Sequence, residues 1–549
     1  MVLLKLYDSK SVYFNKIKSL AMKNILESIL TRHRGLVIFA VAVPVSFVYQ
    51  IGQDLRNWFF RTFLATNKLH DSEVQTIQAR VREAATEGRL MCTARKPWKT
   101  MSQRKADFKA DCAQIPIELP NILELDEERQ VVRVEPMATM GDLTHYLVPR
   151  GYALAVQVEM DDLTVGGLCM GVGIETSSHR YGFLFETIEA YEIVTARGEL
   201  VRATRTAHAD LFHALPWSHG TLGFLVAVEL KVVPVKPYMR LRYIPCHSQE
   251  ELCHRFTALA TADHPPAYLE ALAFSPDTGV IMVGEPDDAD TPEKRMRINR
   301  INRWHKPWFY SHVQTFLDKG EAEEYIPLRH YFHRHTPSVF FQLKDLIPFA
   351  NTAWYRWLFA WMGAPKIKLM KYTMTRSLRR RSLYKRVAQD IIVPIGHMAG
   401  AINFIHPRFG IYPMWICPVR IYDHHPHEGF LRNPEQPEPD RNYQMFVDLG
   451  IYGIPQDVRN GLDWDAKAHT RALEDMARRM KGYQMLYADT FMTREEFEQM
   501  FNHQTYREVR RRYGADQAFP EVYDKVRPER WLLDMDREVA GQQKVEQGV

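Results

Sequence analysis

The sequence predicts an α+β protein of about three folded units, with an apolar helix of membrane length near the N-terminus. Three observations carry this expectation. The chain has 549 residues, 46% of them hydrophobic, enough for separate cores at roughly 150 residues per unit. Between Val131 and Pro234, strand-like and helix-like patterns are mixed at short spacing. From Gly35 to Gln53 there is no charged residue.

Taking the elements in order, Leu36 to Ile51 is almost wholly apolar, slightly under the roughly 20 residues that cross a bilayer. Pro44 lies inside it, so a single spanning helix and a re-entrant hairpin are both open. Trp58, Phe59, Phe60 and Phe63 follow where an aromatic belt would sit. Lys16, Lys18, Lys23, Arg32 and Arg34 precede the run, against Arg56, Arg61 and Lys68 after it, which favours a cytoplasmic N-terminus. Six cysteines without a CxxC pair, and no N-x-[ST] sequon, instead keep the large C-terminal part in the reducing cytosol. A hairpin satisfies both.

Val74, Ile77, Val81 and Ala84 or Ala85 give Ser72 to Arg89 a helical period ending at Gly88. Val131 to Val134 reads as a strand and Thr139 to Leu147 as a helix. IEAYEIVTARGELVRAT, from Ile188, reads as a hairpin turning at Arg197-Gly198, followed by the helix DLFHAL and the strand GFLVAVELKVV. After Pro234 and Pro237 the texture changes to aromatic and histidine-rich segments, which sets a unit boundary near residue 238. A net charge of +5 excludes nucleic acid as the expected partner.

Chemistry concentrates in DDLTVGGLCMGVGIETSSHRYG, from Asp161 to Gly182. Gly166, Gly167, Gly171 and Gly173 fall within eight residues, and without a Cβ their amides approach an anionic phosphate closely. A glycine-rich turn needed only for packing is the competing reading. A dinucleotide GxGxxG fits poorly: the third glycine is Thr176, and Asp161-Asp162 separate the preceding strand from the glycines. The histidines at 330, 333 and 335 do not share one helical face, so no metal site is expected.

EPMATMGDL (Glu135 to Leu143), the glycine-rich segment and DLFHALPWSHGTLGFLVAVELKVVP (Asp210 to Pro234) resemble the flavin domain of the vanillyl-alcohol-oxidase and p-cresol-methylhydroxylase (PCMH) flavoproteins. KPWF, EYIPLRHYFHRHT, YPMWICP, GYQMLYAD and AFPEVYDK extend the likeness, within that superfamily, to the Delta(24)-sterol reductase family. The resemblance implies a two-subdomain PCMH-type FAD-binding domain at 61–238. It also implies an α+β substrate (cap) domain at 239–526 whose C-terminal segment returns to the flavin, a membrane anchor at 1–60 and a polar tail at 527–549. It implies noncovalent FAD held by Thr164, Val165, Gly166, Gly167, Leu168, Cys169, Met170, Gly171, Val172, Gly173, Ile174, Glu175 and Thr176, and NADPH as electron donor. The stretch equivalent to the first phosphate loop, Ala94 to Lys109, lacks the family's usual glycines and contains neither His nor Cys for covalent attachment. The expected location is the endoplasmic reticulum membrane.

The implied activity is reduction of a sterol side-chain double bond. An isolated alkene accepts hydride poorly, so an acid must protonate one carbon as hydride reaches the other. Tyr487 and Asp489 in LYAD are the first candidates for that acid, and His330, with His333 and His335, the second. The alternatives are an FAD-linked oxidase or dehydrogenase of the same fold acting on an alcohol, and an inactive flavoprotein scaffold. The basic stretch Lys366 to Arg386 suits anionic lipid or, as in plant relatives, a calmodulin-like partner, with a solvated helix as the simpler reading.

Overall fold

In the computed structural model, residues 33–528 are described apart from 64, 65, 101, 103, 105, 373 and 439, together with Leu532. The basic residues expected before Arg34, the aromatic side chains at 58–63 and most of the polar tail lie outside that description.

Residues 34–63 wind into one continuous helix: Arg34–Val37, a π turn Ile38–Ala42 and Val43–Phe63. Pro44 does not break it. The wide turn stands immediately before the proline, where the missing N–H removes one rung of the ladder. The expected re-entrant hairpin is therefore not formed among the described residues. Arg34–Gln53 is long and apolar enough to cross a membrane, and only 22% of that window is buried, unlike a core helix.

Helix Thr66–Thr86 follows, burying Val74, Ile77, Val81 and Ala84 while Ala85 faces out. Its Gln78 and Arg82 side chains donate to the Gly198 carbonyl at 2.9 and 3.0 Å, fixing the tip of the hairpin Ile188–Val194/Leu200–Ala203. Gly198 has φ +73°, a conformation its turn requires and a side chain would strain. The hairpin belongs to a sheet ordered Ile122–Asp126, Val131–Val134, Phe224–Pro234, Ile188–Val194, Leu200–Ala203, with Tyr152–Leu154 paired to the far end of Phe224–Pro234. Helix Met140–Leu147 covers it, started by a capping box in which Thr139 and Asp142 satisfy each other's backbone N–H.

Three residues beyond this sheet's longest strand, Tyr238–Cys246 opens a second, eight-stranded sheet. Its order is Ala322–Pro327, Tyr238–Cys246, Gly279–Asp287, Tyr268–Ala273, Met414–Tyr422, Tyr443–Gly453, Val387–Pro394, Tyr483–Gln484. The central strands are buried along nearly their whole length, so they read as continuous apolar runs rather than alternations. Helix Arg376–Lys385 buries Leu378 and Leu383 against the body and turns Arg380 and Lys385 outward.

Candidate cofactor site

Thr164 opens the glycine-rich segment, bridging to Thr139 and standing just before the short helix Val165–Cys169. The Gly166 amide donates to the Pro136 carbonyl at 2.9 Å, and a Cβ on Gly166 would stand 2.7 Å from Pro136 Cβ. On Gly171 it would stand 2.5 Å from the Gly167 carbonyl oxygen. None of the four glycines has positive φ, so the missing Cβ, and not backbone freedom, is what the segment needs.

Beyond Met170 the chain runs through Gly171, Val172, Gly173 and Ile174 in buried surroundings. The carbonyls of Gly171 and Gly173 accept from Trp217 and Leu184 at 3.1 and 2.8 Å. The four amide N–H groups from 171 to 174 find no acceptor among the described residues. Four consecutive buried donors without partners among the described residues are costly unless a ligand supplies the acceptors, and such a row suits the oxygens of a pyrophosphate or a flavin ring.

Polar groups from distant parts of the chain converge on this segment. Arg95 donates to Thr164 Oγ1 at 2.8 Å and keeps a buried, unpartnered Nε. Arg104, from the same loop, clamps the carbonyls of Leu486, Ala488 and Val526 at 2.9, 2.5 and 2.8 Å. Lys525 Nζ donates to the His219 carbonyl at 2.5 Å, and burial with the nearby Lys109 lowers its pKa to about 8. His219 lies against Gly171, and its buried Nε2 has no partner among the described residues. Burial and the charges of Arg104 and Lys525 push that ring down to about 3, so it is neutral. His219 was not singled out from the sequence, where SHG in a turn carries no mark of function.

Behind the segment lies a buried ionic seam with the second sheet. Arg334 donates to Glu175 at 2.8 Å and to both oxygens of Glu270 at 2.6 and 2.7 Å. Burial alone would raise Glu270, but Arg334 and His335 hold it below the usual carboxylate range; Glu175 is raised by burial. Glu159 accepts the N–H groups of His335 and Thr336 on one oxygen, leaves the other unpartnered, and is pushed well up by burial. Further along the sheet, Tyr452 donates to Asp390, and Asp448 has two buried oxygens without a partner among the described residues. Gly450 makes room for the pair, since a Cβ there would stand 2.6 Å from both Asp390 Oδ1 and the Tyr452 hydroxyl. Burial raises Asp390 to about 7 and Asp448 well above its usual value.

The expected acids are dispersed. Tyr487 sits in the segment clamped by Arg104, half-buried against the core. Asp489 is engaged by Arg379 at 2.8 and 3.0 Å, so its carboxylate balances a buried guanidinium. His330 accepts the Asn302 N–H at 3.3 Å, among Arg300, Arg303 and Arg329, and burial lowers it to about 4. His333 bridges Thr144 Oγ1 and the Glu159 carbonyl at 2.8 and 2.6 Å. His335 packs among Phe309, Phe340 and Phe341, with Nε2 3.7 Å from Glu270 Oε2. The three histidines thus occupy separate surroundings.

Residues 72–204, which contain the whole glycine-rich segment, match the family model described as an FAD binding domain. Over 504 residues the chain is 41% identical to the Delta(24)-sterol reductase of Homo sapiens, covering 91% of this chain and 95% of that protein. The chain belongs to the Delta(24)-sterol reductase family. Members from Arabidopsis thaliana and Pisum sativum are 37% and 36% identical, over 90% and 92% of this chain and 91% and 93% of theirs. The family's FAD-binding character agrees with the unpaired amides at 171–174, and the apolar helix 34–53 fits a membrane anchor.

Proposed function

We propose that the chain is a membrane-anchored flavoenzyme that reduces the C24 side-chain double bond of a sterol at the expense of NADPH, at the endoplasmic reticulum. The observation that carries this reading is the run of four buried, unpaired amides at 171–174 inside a stretch matched to an FAD binding domain, in a chain similar along nearly its full length to Delta(24)-sterol reductases. FAD, when bound, supplies the hydride chemistry.

The chain's own residues divide the remaining work. Within the segment from Thr164 to Thr176, the amides of 171–174, with Arg95, hold the anionic part of the cofactor. Arg104 fastens the segment carrying Tyr487 to the loop carrying Arg95, and so joins the residues 61–238 to the returning end of 239–526. The alkene needs a proton from a group that stays neutral in a dry site, and Asp390 and Asp448 answer that description. They lie beside the strand Tyr483–Gln484 that leads to Tyr487, with the Met485 amide donating to the Asp390 carbonyl at 3.1 Å. Tyr487, on the turn after that strand, stays the second candidate donor beside this acid pair, while Asp489 and His330 keep structural partners.

The test is direct. Detergent-solubilised protein should be yellow, release its flavin into the supernatant on heat denaturation, and convert desmosterol to the side-chain-saturated sterol only with NADPH. Colourless, folded protein that added FAD does not reconstitute would defeat the reading.

A further inference from the structure

The apolar helix does not stand free of the body. Between Ile38 and Ser46 it is docked: Ile38, Ala42, Val43 and Ser46 are buried, and Ser46 Oγ accepts the Lys366 amide at 2.9 Å. Phe39 packs among Phe349, Tyr355 and Phe359 at ring separations of 5.1–5.8 Å. Phe47 meets Trp361 edge-on at 5.4 Å. The opposite stripe, Val41, Val45, Val48, Ile51 and Leu55, is exposed.

Level with the docked turns, the body exposes an aromatic surface. Trp354, Trp357 and Trp361 are 51%, 60% and 52% exposed, with Leu358 beside them. Trp304 extends the row, 5.0 Å from Trp357. Solvent-facing tryptophans at this density are rare on soluble surfaces and characteristic of the bilayer interface. From Asn351 to Arg386 the sequence has ten Lys and Arg and no acidic residue; Lys371 and Arg379 are buried, while the exposed Arg376, Arg380, Arg381 and Lys385 complement anionic headgroups.

These contacts weigh against a plain spanning arrangement. The body is fastened to the middle of the apolar stretch, and a helix crossing a hydrocarbon core of roughly 30 Å would drag that body into it. We propose that the exposed stripe of the helix and the patch of Trp304, Trp354, Trp357 and Trp361 form one face that lies on a single membrane leaflet, with the helix along the surface rather than through it. The occupant is lipid. The patch is continuous with the apolar helix through the ring contacts at Phe39 and Phe47, and it is framed by positive charge. The proposal does not depend on the redox reading.

Two measurements on the full chain test it. In vesicles containing brominated phosphatidylcholine, the tryptophan emission lost on replacing Trp354, Trp357 and Trp361 together by Phe should be quenched at least about twofold relative to unbrominated lipid. The apolar Phe variant should keep its flavin, which separates loss of contact from loss of fold. In sealed vesicles, tags at the two termini should be digested by protease from the same side. Unquenched patch emission, or one terminus protected and the other cleaved, overturns the proposal. Unquenched emission with a doubled particle mass that the Phe substitutions halve would assign the face to a second copy of the chain, and equally overturns it.

Discussion

Arg334 holds Glu175 at 2.8 Å with both side chains almost wholly buried, and so ties the end of the glycine-rich segment to the second sheet. The same guanidinium carries Glu270, so one cation compensates two buried carboxylates. Replacing Arg334 by Met should leave charge buried without a partner and cost about 3–5 kcal/mol. Arg334→Lys keeps the charge but loses the planar fork, and should recover only part of that. Denaturant midpoints followed by flavin release should rank wild type above Lys above Met, because the cofactor segment and the seam are one unit.

The glycines should differ sharply in what they tolerate. Gly171→Ala places a Cβ 2.5 Å from a backbone oxygen, which no rotamer change relieves. Gly167→Ala meets only the side-chain oxygen Thr164 Oγ1 at 3.2 Å, which a shift of a few tenths of an ångström would relieve. The first should cost about 1–3 kcal/mol and most of the bound flavin, the second much less. The ratio of flavin to protein absorbance in purified variants checks the order.

Tyr487 and Asp489 are two residues apart and should fail in different ways. Asp489→Asn removes the charge facing Arg379, which is fully buried, so its effect should be on stability, by a few kcal/mol. Tyr487→Phe removes one hydroxyl from a half-buried ring and should lower turnover while leaving stability within about 1 kcal/mol. Thermal unfolding and kcat measured side by side distinguish them.

Local patterns in the sequence were legible wherever the partner is also local. The helix expected from Thr139 to Leu147 forms, Gly198 turns the expected hairpin, and the stretch matched to an FAD binding domain encloses the glycines at 166–173. The seam was not legible. Glu270 in YLEALA, Asp390 in VAQDIIVP and Asp448 in FVDLGIY are single acids in apolar strands, which is itself a signal of a buried carboxyl. Their partners, however, come from far along the chain: Arg334 lies 64 positions and Trp415 145 positions from Glu270. The docking of Phe39 on Phe349 and Phe359 was hidden for the same reason, so a helix of membrane length read as a free span or a hairpin.

Asp390 gives the pH dependence its sign. Its carboxyl is raised from an ordinary value near 4 to about 7 by burial, so the folded state holds a proton that the unfolded chain has released. The stability from this group is fully present below about pH 4, declines through the interval and is gone above about pH 7. Glu474, raised to about 7 by burial, contributes in the same direction. If Asp390 also stores the proton for the alkene, kcat should fall above about pH 7 with its slope set by this group. Asp390→Asn should then abolish that alkaline limb and lower kcat at every pH, whereas Glu474→Gln should flatten the stability profile and leave the limb of kcat in place. Parallel profiles of unfolding midpoint and kcat from pH 5 to 9 separate the two roles, since a purely structural Asp390 would move only the first.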